Sequence, residues 1–68
     1  MILDCLGRRC PLPIIELARA LPTVPVGDAV TVLADDPAAE PDLKAWCRLQ
    51  GQSYEGRDGD AFTIRRLC

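Results

Sequence analysis

The chain contains no histidine. That absence excludes Cys–His and Ser–His nucleophile pairs built from its own residues. Basic charge is also short: eight Lys and Arg stand against ten Asp and Glu, a formal net of −2. Gripping a phosphate backbone needs a basic stripe, so direct nucleic-acid binding is not expected, and the pair Arg65-Arg66 is too small to change that. No apolar run approaches the ~20 residues of a membrane span. The first residues, Met1-Ile2-Leu3-Asp4-Cys5, hold neither a basic n-region nor an apolar h-region, which predicts a cytoplasmic protein without a signal peptide. Aromatics are limited to one Phe, one Trp and one Tyr, so few large side chains are available for a core.

What is present suits one small domain over residues 1–68. A chain of this size buries only about 60% of its unfolded surface, so the core is thin. An apolar share of 49% is nonetheless enough for packing and too high for a disordered segment. Four cysteines are many for so short a chain, and their spacing, C-x4-C-x36-C-x20-C, lacks the paired C-x2-4-C or H-x3-5-H units of a zinc site. Neither a metal nor a cofactor is expected. The thiols are either packing residues or chemistry.

Periodicity divides the chain into six elements. Met1 to Asp4 reads as a short strand and Gly7-Arg8-Arg9 as a loop. A helix is expected from Pro11, with Ile14, Leu17, Ala18 and Leu21 along one face and Pro22 and Pro25 closing it. Prolines are tolerated in a first turn, where amide protons have no intrahelical partner. A turn at Val26-Gly27-Asp28 precedes the β-branched run Ala29–Ala34. A second helix, with Pro41 near its start, carries Leu43, Trp46, Cys47 and Gln50 on one face and ends at Gly51. Residues 52–57 and 61–67 flank Asp58-Gly59-Asp60, a strong hairpin signal, and Phe62 and Ile64 share one side. The order is βαβαββ. A strand–helix–strand crossover makes the first two strands parallel, so the Cys10 loop and the Asp35-Asp36 loop should be neighbours at one sheet edge, where both helices begin.

Cys10 is the candidate catalytic residue. At or next to a helix N-cap, its thiolate gains from amide protons and the dipole, which lowers the pKa from about 8.5 towards neutrality. Arg8 and Arg9 act in the same direction. Pro11 and Pro13 hold the cysteine on a rigid turn, although they also remove two amide donors. The alternative is a buried small hydrophobe, common for free Cys, but the Gly-Arg-Arg-Cys-Pro-x-Pro context favours function.

The run Leu3-Asp4-Cys5-Leu6-Gly7-Arg8-Arg9-Cys10-Pro11-Leu12-Pro13 resembles the N-terminal signature of the TusA-like sulfur-carrier family, whose hallmark is Cys-Pro-x-Pro. The likeness continues through Gly27-Asp28, Ala34-Asp35-Asp36-Pro37-Ala38 and Trp46-Cys47. It implies an α/β two-layer sandwich, with two helices packed on one face of a four-stranded mixed sheet. It further implies that Cys10 carries sulfane sulfur as a persulfide. A cysteine desulfurase or rhodanese-like protein would load it, and an acceptor protein would take the sulfur on. Relatives of the fold serve tRNA thiolation, molybdenum-cofactor sulfuration, sulfur oxidation and thiosulfate uptake, and these residues do not choose among them. A monomer is expected.

The remaining candidates admit two readings each. Cys5, where the family often has another residue, is either a resolving thiol for Cys10 or the end of the first strand. A resolving role would make the protein a Cys5/Cys10 thiol-disulfide or thiosulfate-handling enzyme, and a third reading is an adaptor in which Cys10 only shapes the turn. Cys47 and Trp46 read as core, and Cys68 as an exposed thiol. Glu16, Arg19, Asp35 and Asp36 are candidate docking charges or ordinary solvated surface, and Asp36 also fits a helix cap before Pro37.

Overall fold

Alternation along the strands decides which face of the sheet is covered. The computed structural model describes residues 1–9 and 11–68. Strand β1 spans Ile2–Asp4, helix α1 Leu12–Ala20, strand β2 Ala29–Leu33, helix α2 Ala39–Gln50, strand β3 Ser53–Asp58 and strand β4 Ala61–Arg65. Val30 and Val32 of β2 and Phe62 and Ile64 of β4 are all buried, while their neighbours Ala29, Thr31, Ala61 and Thr63 are half-buried on the other face. Leu17 of α1 and Leu43 and Cys47 of α2 join the same core, so both helices lie on one face of the sheet. Leu3, Ile14, Trp46 and Tyr54 pack around it, partly buried.

The four strands are ordered β1-β2-β4-β3. β1 runs parallel to β2, with Leu3 opposite Val32 and Asp4 opposite Leu33. The other two pairings are antiparallel, with Leu33 opposite Ala61 and Asp58 also opposite Ala61. This is the expected α/β architecture: βαβαββ order, a mixed sheet and two helices.

Several boundaries differ from the sequence reading: β1 starts at Ile2, β3 is shifted by one residue to Ser53–Asp58, and β4 stops at Arg65 rather than Leu67. α1 begins at Leu12, with Pro11 as its N-cap at φ −100° and ψ 20°, because that ψ is not helical. After Ala20 the chain tightens into a 3-10 turn over Leu21–Thr23, which contains Pro22. β2 stops at Leu33, one residue short of the expected end, although the Ala34 N–H still reaches the Asp60 carbonyl opposite it at 2.9 Å. Gln50, expected on the apolar face of α2, is exposed, and Ala39 is buried in the first turn. Gly51 ends α2 in the left-handed conformation at φ 72°, with its N–H on the Cys47 carbonyl.

A polar cluster fastens α2 to β3. The Tyr54 hydroxyl donates to Glu40 Oε2 at 2.8 Å, Arg57 Nη1 lies 3.7 Å from Glu40 Oε1, and Lys44 Nζ lies 4.0 Å from Oε2. The Tyr54 hydrogen bond, followed by the Lys44 and Arg57 charges, holds the Glu40 carboxyl below its ordinary value. Burial, reinforced by Glu40, pushes the Tyr54 phenol up to about 12.

These shifts have opposite consequences for stability. The raised Tyr54 value adds stability that is fully present below its unfolded pKa of about 10 and is lost as pH rises through about 12. The lowered Glu40 value adds stability that is present above the ordinary carboxylate pKa and is lost as pH falls through the folded value. Because Tyr54 is the sole tyrosine, phenolate absorbance should titrate near 12 in the folded protein and about two units lower in denaturant. A native midpoint near 10 would rule out the Tyr54–Glu40 bond in solution.

Candidate functional site

Parallel pairing sets Asp4 and Leu33, the C-terminal ends of β1 and β2, side by side, and each end leads into a helix. Antiparallel pairing then starts β4 and ends β3 at that same edge. Three connections therefore converge: residues 5–11, residues 34–38 and the hairpin turn at Gly59-Asp60. Hydrogen bonds lace them together. Cys5 N–H donates to the Leu33 carbonyl at 2.8 Å, Gly7 N–H to Asp35 Oδ1 at 3.0 Å and Ala34 N–H to the Asp60 carbonyl at 2.9 Å. The expected proximity of the motif loop and the Asp35 loop is thus a direct contact. Gly7 has φ 76°, a left-handed conformation that suits glycine and presents its amide to Asp35.

Cys10 itself lies outside the described residues, but its neighbours do not. Arg8 is exposed, with Nη1 4.0 Å from Glu16 Oε1. Arg9 is exposed, and its carbonyl accepts the Leu12 N–H at 2.9 Å. Pro11 is exposed at the N-cap, whereas Pro13 is buried and wedges the first turn of α1 against the core. That first turn holds no acidic side chain. Free amides are few here, since the N-cap Pro11 and Pro13 have none and the Leu12 amide is already bonded. An anion at this helix start therefore relies on the dipole and on Arg8 and Arg9 more than on free N–H donors.

The two aspartates of the second loop differ. Asp35 is exposed, and one of its oxygens anchors Gly7. Asp36 is half-buried; its Oδ1 accepts the Ala38 N–H at 2.8 Å and its carbonyl accepts the Ala39 N–H at 2.9 Å, which shapes the entry to α2.

The cysteines separate by environment. Cys5 is 1% exposed, and burial first, then the charge of Glu16, raises its thiol pKa. Cys47 is 2% exposed, and burial raises its pKa as well. Cys68 is an exposed free thiol. Trp46, half-buried between core and solvent, lines a shallow concavity with Leu21, Pro22, Arg66 and Cys68 near the C-terminal ends of both helices, away from the motif edge. Among the described residues no three Cys, Asp or Glu side chains are grouped so as to hold a metal, and no helix is long and apolar enough to cross a membrane. The hairpin turn at the motif edge is the feature that periodicity missed: Asp-Gly marks a turn but does not say which strand ends it will stand beside.

A family model described as Sulfurtransferase TusA matches residues 1–66, a span that includes the Cys-Pro-x-Pro motif and all three converging connections. The chain belongs to the TusA family. Its TusA relatives include a Neisseria meningitidis protein named "Putative sulfur carrier protein", 47% identical over 49 residues, which are 72% of this chain and 66% of that protein. An Archaeoglobus fulgidus protein of the same name is 41% identical over 49 residues, 72% of this chain and 64% of the relative. The chain thus spans about two thirds of the length of these relatives. The crystal structure of a SirA-like protein from Desulfitobacterium hafniense superposes with a TM-score of 0.70 at 31% identity, covering 94% of this chain and 92% of that one.

Two outcomes follow for this TusA-family site. Native alkylation should label Cys68 rapidly, whereas Cys5 and Cys47 should react only on unfolding; peptide mapping after a short pulse reads the order. Asp35→Ala should speed amide exchange at Gly7 by about 2- to 10-fold, the worth of one modest hydrogen bond, while Asp35→Asn, which keeps an acceptor oxygen, should not.

Proposed function

We propose that this chain is a cytoplasmic sulfur carrier that accepts sulfane sulfur on Cys10 and passes it to an acceptor protein. The observation that carries the reading is the TusA family match over residues 1–66, which takes in Cys10-Pro11-Leu12-Pro13. In loading, the Cys10 thiolate attacks the outer sulfur of a persulfide held by a cysteine desulfurase or rhodanese-like donor. A new S–S bond forms on Cys10, the donor's S–S bond breaks, and the donor leaves as a thiolate. Delivery repeats the exchange with Cys10 as the leaving thiolate, so no external oxidant is needed.

The local chemistry supports presentation of sulfur rather than turnover. A persulfide is more acidic than a thiol and is anionic at neutral pH, which suits the start of a helix beside Arg8 and Arg9. With no histidine in the chain, proton transfer falls to the partner enzymes. Pro11 and Pro13 stiffen the turn that offers the sulfur. The rival reading, a Cys5/Cys10 dithiol cycle, asks a 1%-exposed thiol with a raised pKa to act as nucleophile, and both properties work against it. The acceptor belongs to a sulfur relay such as tRNA thiolation, molybdenum-cofactor sulfuration or sulfur oxidation, and co-purification would select among them.

Intact mass under non-reducing conditions tests the proposal, in a Cys68→Ser background that removes the exposed thiol. After treatment with polysulfide, or with a cysteine desulfurase and cysteine, the protein should gain one reductant-labile sulfur. Cys10→Ser should abolish the gain and Cys5→Ser should leave it. A gain that survives Cys10→Ser would sink the carrier assignment, and a two-hydrogen loss abolished by either substitution would establish the dithiol cycle.

A further inference from the structure

The turn that leads into the motif leaves one amide for a distant acceptor. The Arg8 N–H donates to the Cys5 carbonyl at 3.1 Å, and Gly7, third in that turn, has the φ of 76° that a type II turn requires there. The one internal bond of such a turn leaves the amides of its two central residues unused. The Leu6 N–H is taken locally, by Asp4 Oδ1 at 3.1 Å. The Gly7 N–H is taken by Asp35 Oδ1 at 3.0 Å, across 28 residues of sequence. The neighbouring Cys5 N–H, on the Leu33 carbonyl, only continues the pairing of β1 with β2. Asp35 is therefore the side chain that ties the turn itself to another connection.

The anchor is held on both sides. Before it, the Ala34 N–H donates to the Asp60 carbonyl at 2.9 Å; after it, Asp36 bonds the entry to α2 through its Oδ1 and its carbonyl. Asp35 itself is exposed, and among the described residues the Gly7 amide is the sole hydrogen-bond partner of its carboxylate. The far end of the motif is held as well, by the Leu12 N–H on the Arg9 carbonyl at 2.9 Å and by buried Pro13. Four residues, 8–11, join Gly7 to Leu12, and Cys10 is one of them. At a reach of about 3.3–3.6 Å per residue, so short a stretch has little freedom once both ends are fixed.

A carboxylate has a drawback at this place. Its negative charge opposes a thiolate or persulfide nearby, and it is bonded to the turn three residues before Cys10. What it offers in return is a charge-assisted bond, roughly twice as strong as a neutral one. The bond, not the charge, is the feature that serves the site.

Resting on the carrier reading above, we propose that Asp35 is a positioning residue for sulfur transfer: through the Gly7 amide it holds the stretch 8–11 at the start of α1, where the helix dipole, Arg8 and Arg9 favour an anionic sulfur.

Two substitutions remove the same charge, and one of them keeps the acceptor. Cys10 alkylation by iodoacetamide is followed against pH, by peptide mapping, for the otherwise unaltered chain, Asp35→Asn and Asp35→Ala, each in a Cys68→Ser background. The other charged groups of this edge, Asp4, Arg8, Arg9, Glu16, Asp36, Asp58 and Asp60, are common to both variants and cancel between them. The midpoint of Asp35→Asn should lie at or below that of the unaltered chain, because a negative charge is gone. The midpoint of Asp35→Ala should lie about 0.2–0.7 of a pH unit above that of Asp35→Asn, the worth of a helix dipole at a surface. Polysulfide loading below the midpoint should be about 1.5- to 5-fold slower in Asp35→Ala than in Asp35→Asn for the same reason. Cys5 and Cys47 should stay unlabelled in the same pulse, which reports that each variant is folded. Asp35→Leu, similar in shape and without an acceptor, replaces Asp35→Ala if that variant does not fold. Coincident midpoints in Asp35→Asn and Asp35→Ala overturn the positioning role, and a lowered melting temperature beside them would make Asp35 a structural residue only. Midpoints in the expected order, in a chain that gains no sulfur from polysulfide, overturn the carrier reading and leave the positioning of the thiol standing.

Discussion

The parallel pairing of β1 with β2 is the constraint on which the functional end depends. It is a short contact, three residues long, yet it decides where everything near the motif goes. Parallel strands need a crossover, and the crossover here is the α1 segment. Both strands therefore end at one edge and both helices begin there. The antiparallel hairpin, paired to β2 through Leu33 and Ala61, adds its turn to the same edge. Were β1 antiparallel to β2, the motif loop and the Asp35 loop would lie at opposite ends, and the Gly7–Asp35 bond could not form.

With a core this small, loops at the edge are held by hydrogen bonds more than by burial. The buried set draws on both helices and on alternate positions of β2 and β4, and among the described residues it reaches the edge at Cys5, Pro13, Ala34 and Ala39. Beyond these, single backbone bonds tie one connection to the next. Pro13 adds stiffness from below, since it is buried while Pro11 beside the motif cysteine is exposed. This division of labour suits a protein that offers one atom to a partner: the base of the turn is fixed and its rim is open.

Electrostatics at the edge are mixed rather than uniformly favourable to an anion. The α1 start lacks acidic residues and has Arg8 and Arg9 close in sequence, which favours a thiolate. The aspartates around it do the reverse. A protein that had to generate a nucleophile by itself would gain from removing them. In the proposed carrier reading, partner enzymes supply the catalytic groups and the aspartates are tolerated. The burial of Cys5 belongs to the same picture: a second thiol lies near the motif in sequence, but in the core its ionisation is disfavoured.

Much of this was legible along the chain, and particular residues show where legibility ends. The alternation that buries Val30, Val32, Phe62 and Ile64, the helical spacing of Leu17 and Leu43, and Gly51 as a helix stop are local patterns read correctly. Local pattern failed at element ends: β2 stops at Leu33 rather than Ala34, and Gln50 faces solvent in the last turn of α2. The motif residues were visible too, since Cys-Pro-x-Pro and Asp-Asp-Pro are contiguous. By itself, then, the sequence determined the elements, their order and the thiol set apart by two prolines, because periodicity and turn chemistry act over a few residues. Only the tertiary structure decided the strand order β1-β2-β4-β3. That order brings Asp58 and Asp60 beside Asp35 and the motif loop and leaves Cys5 buried, because pairing between distant strands is a property of the whole sheet and not of any segment in it.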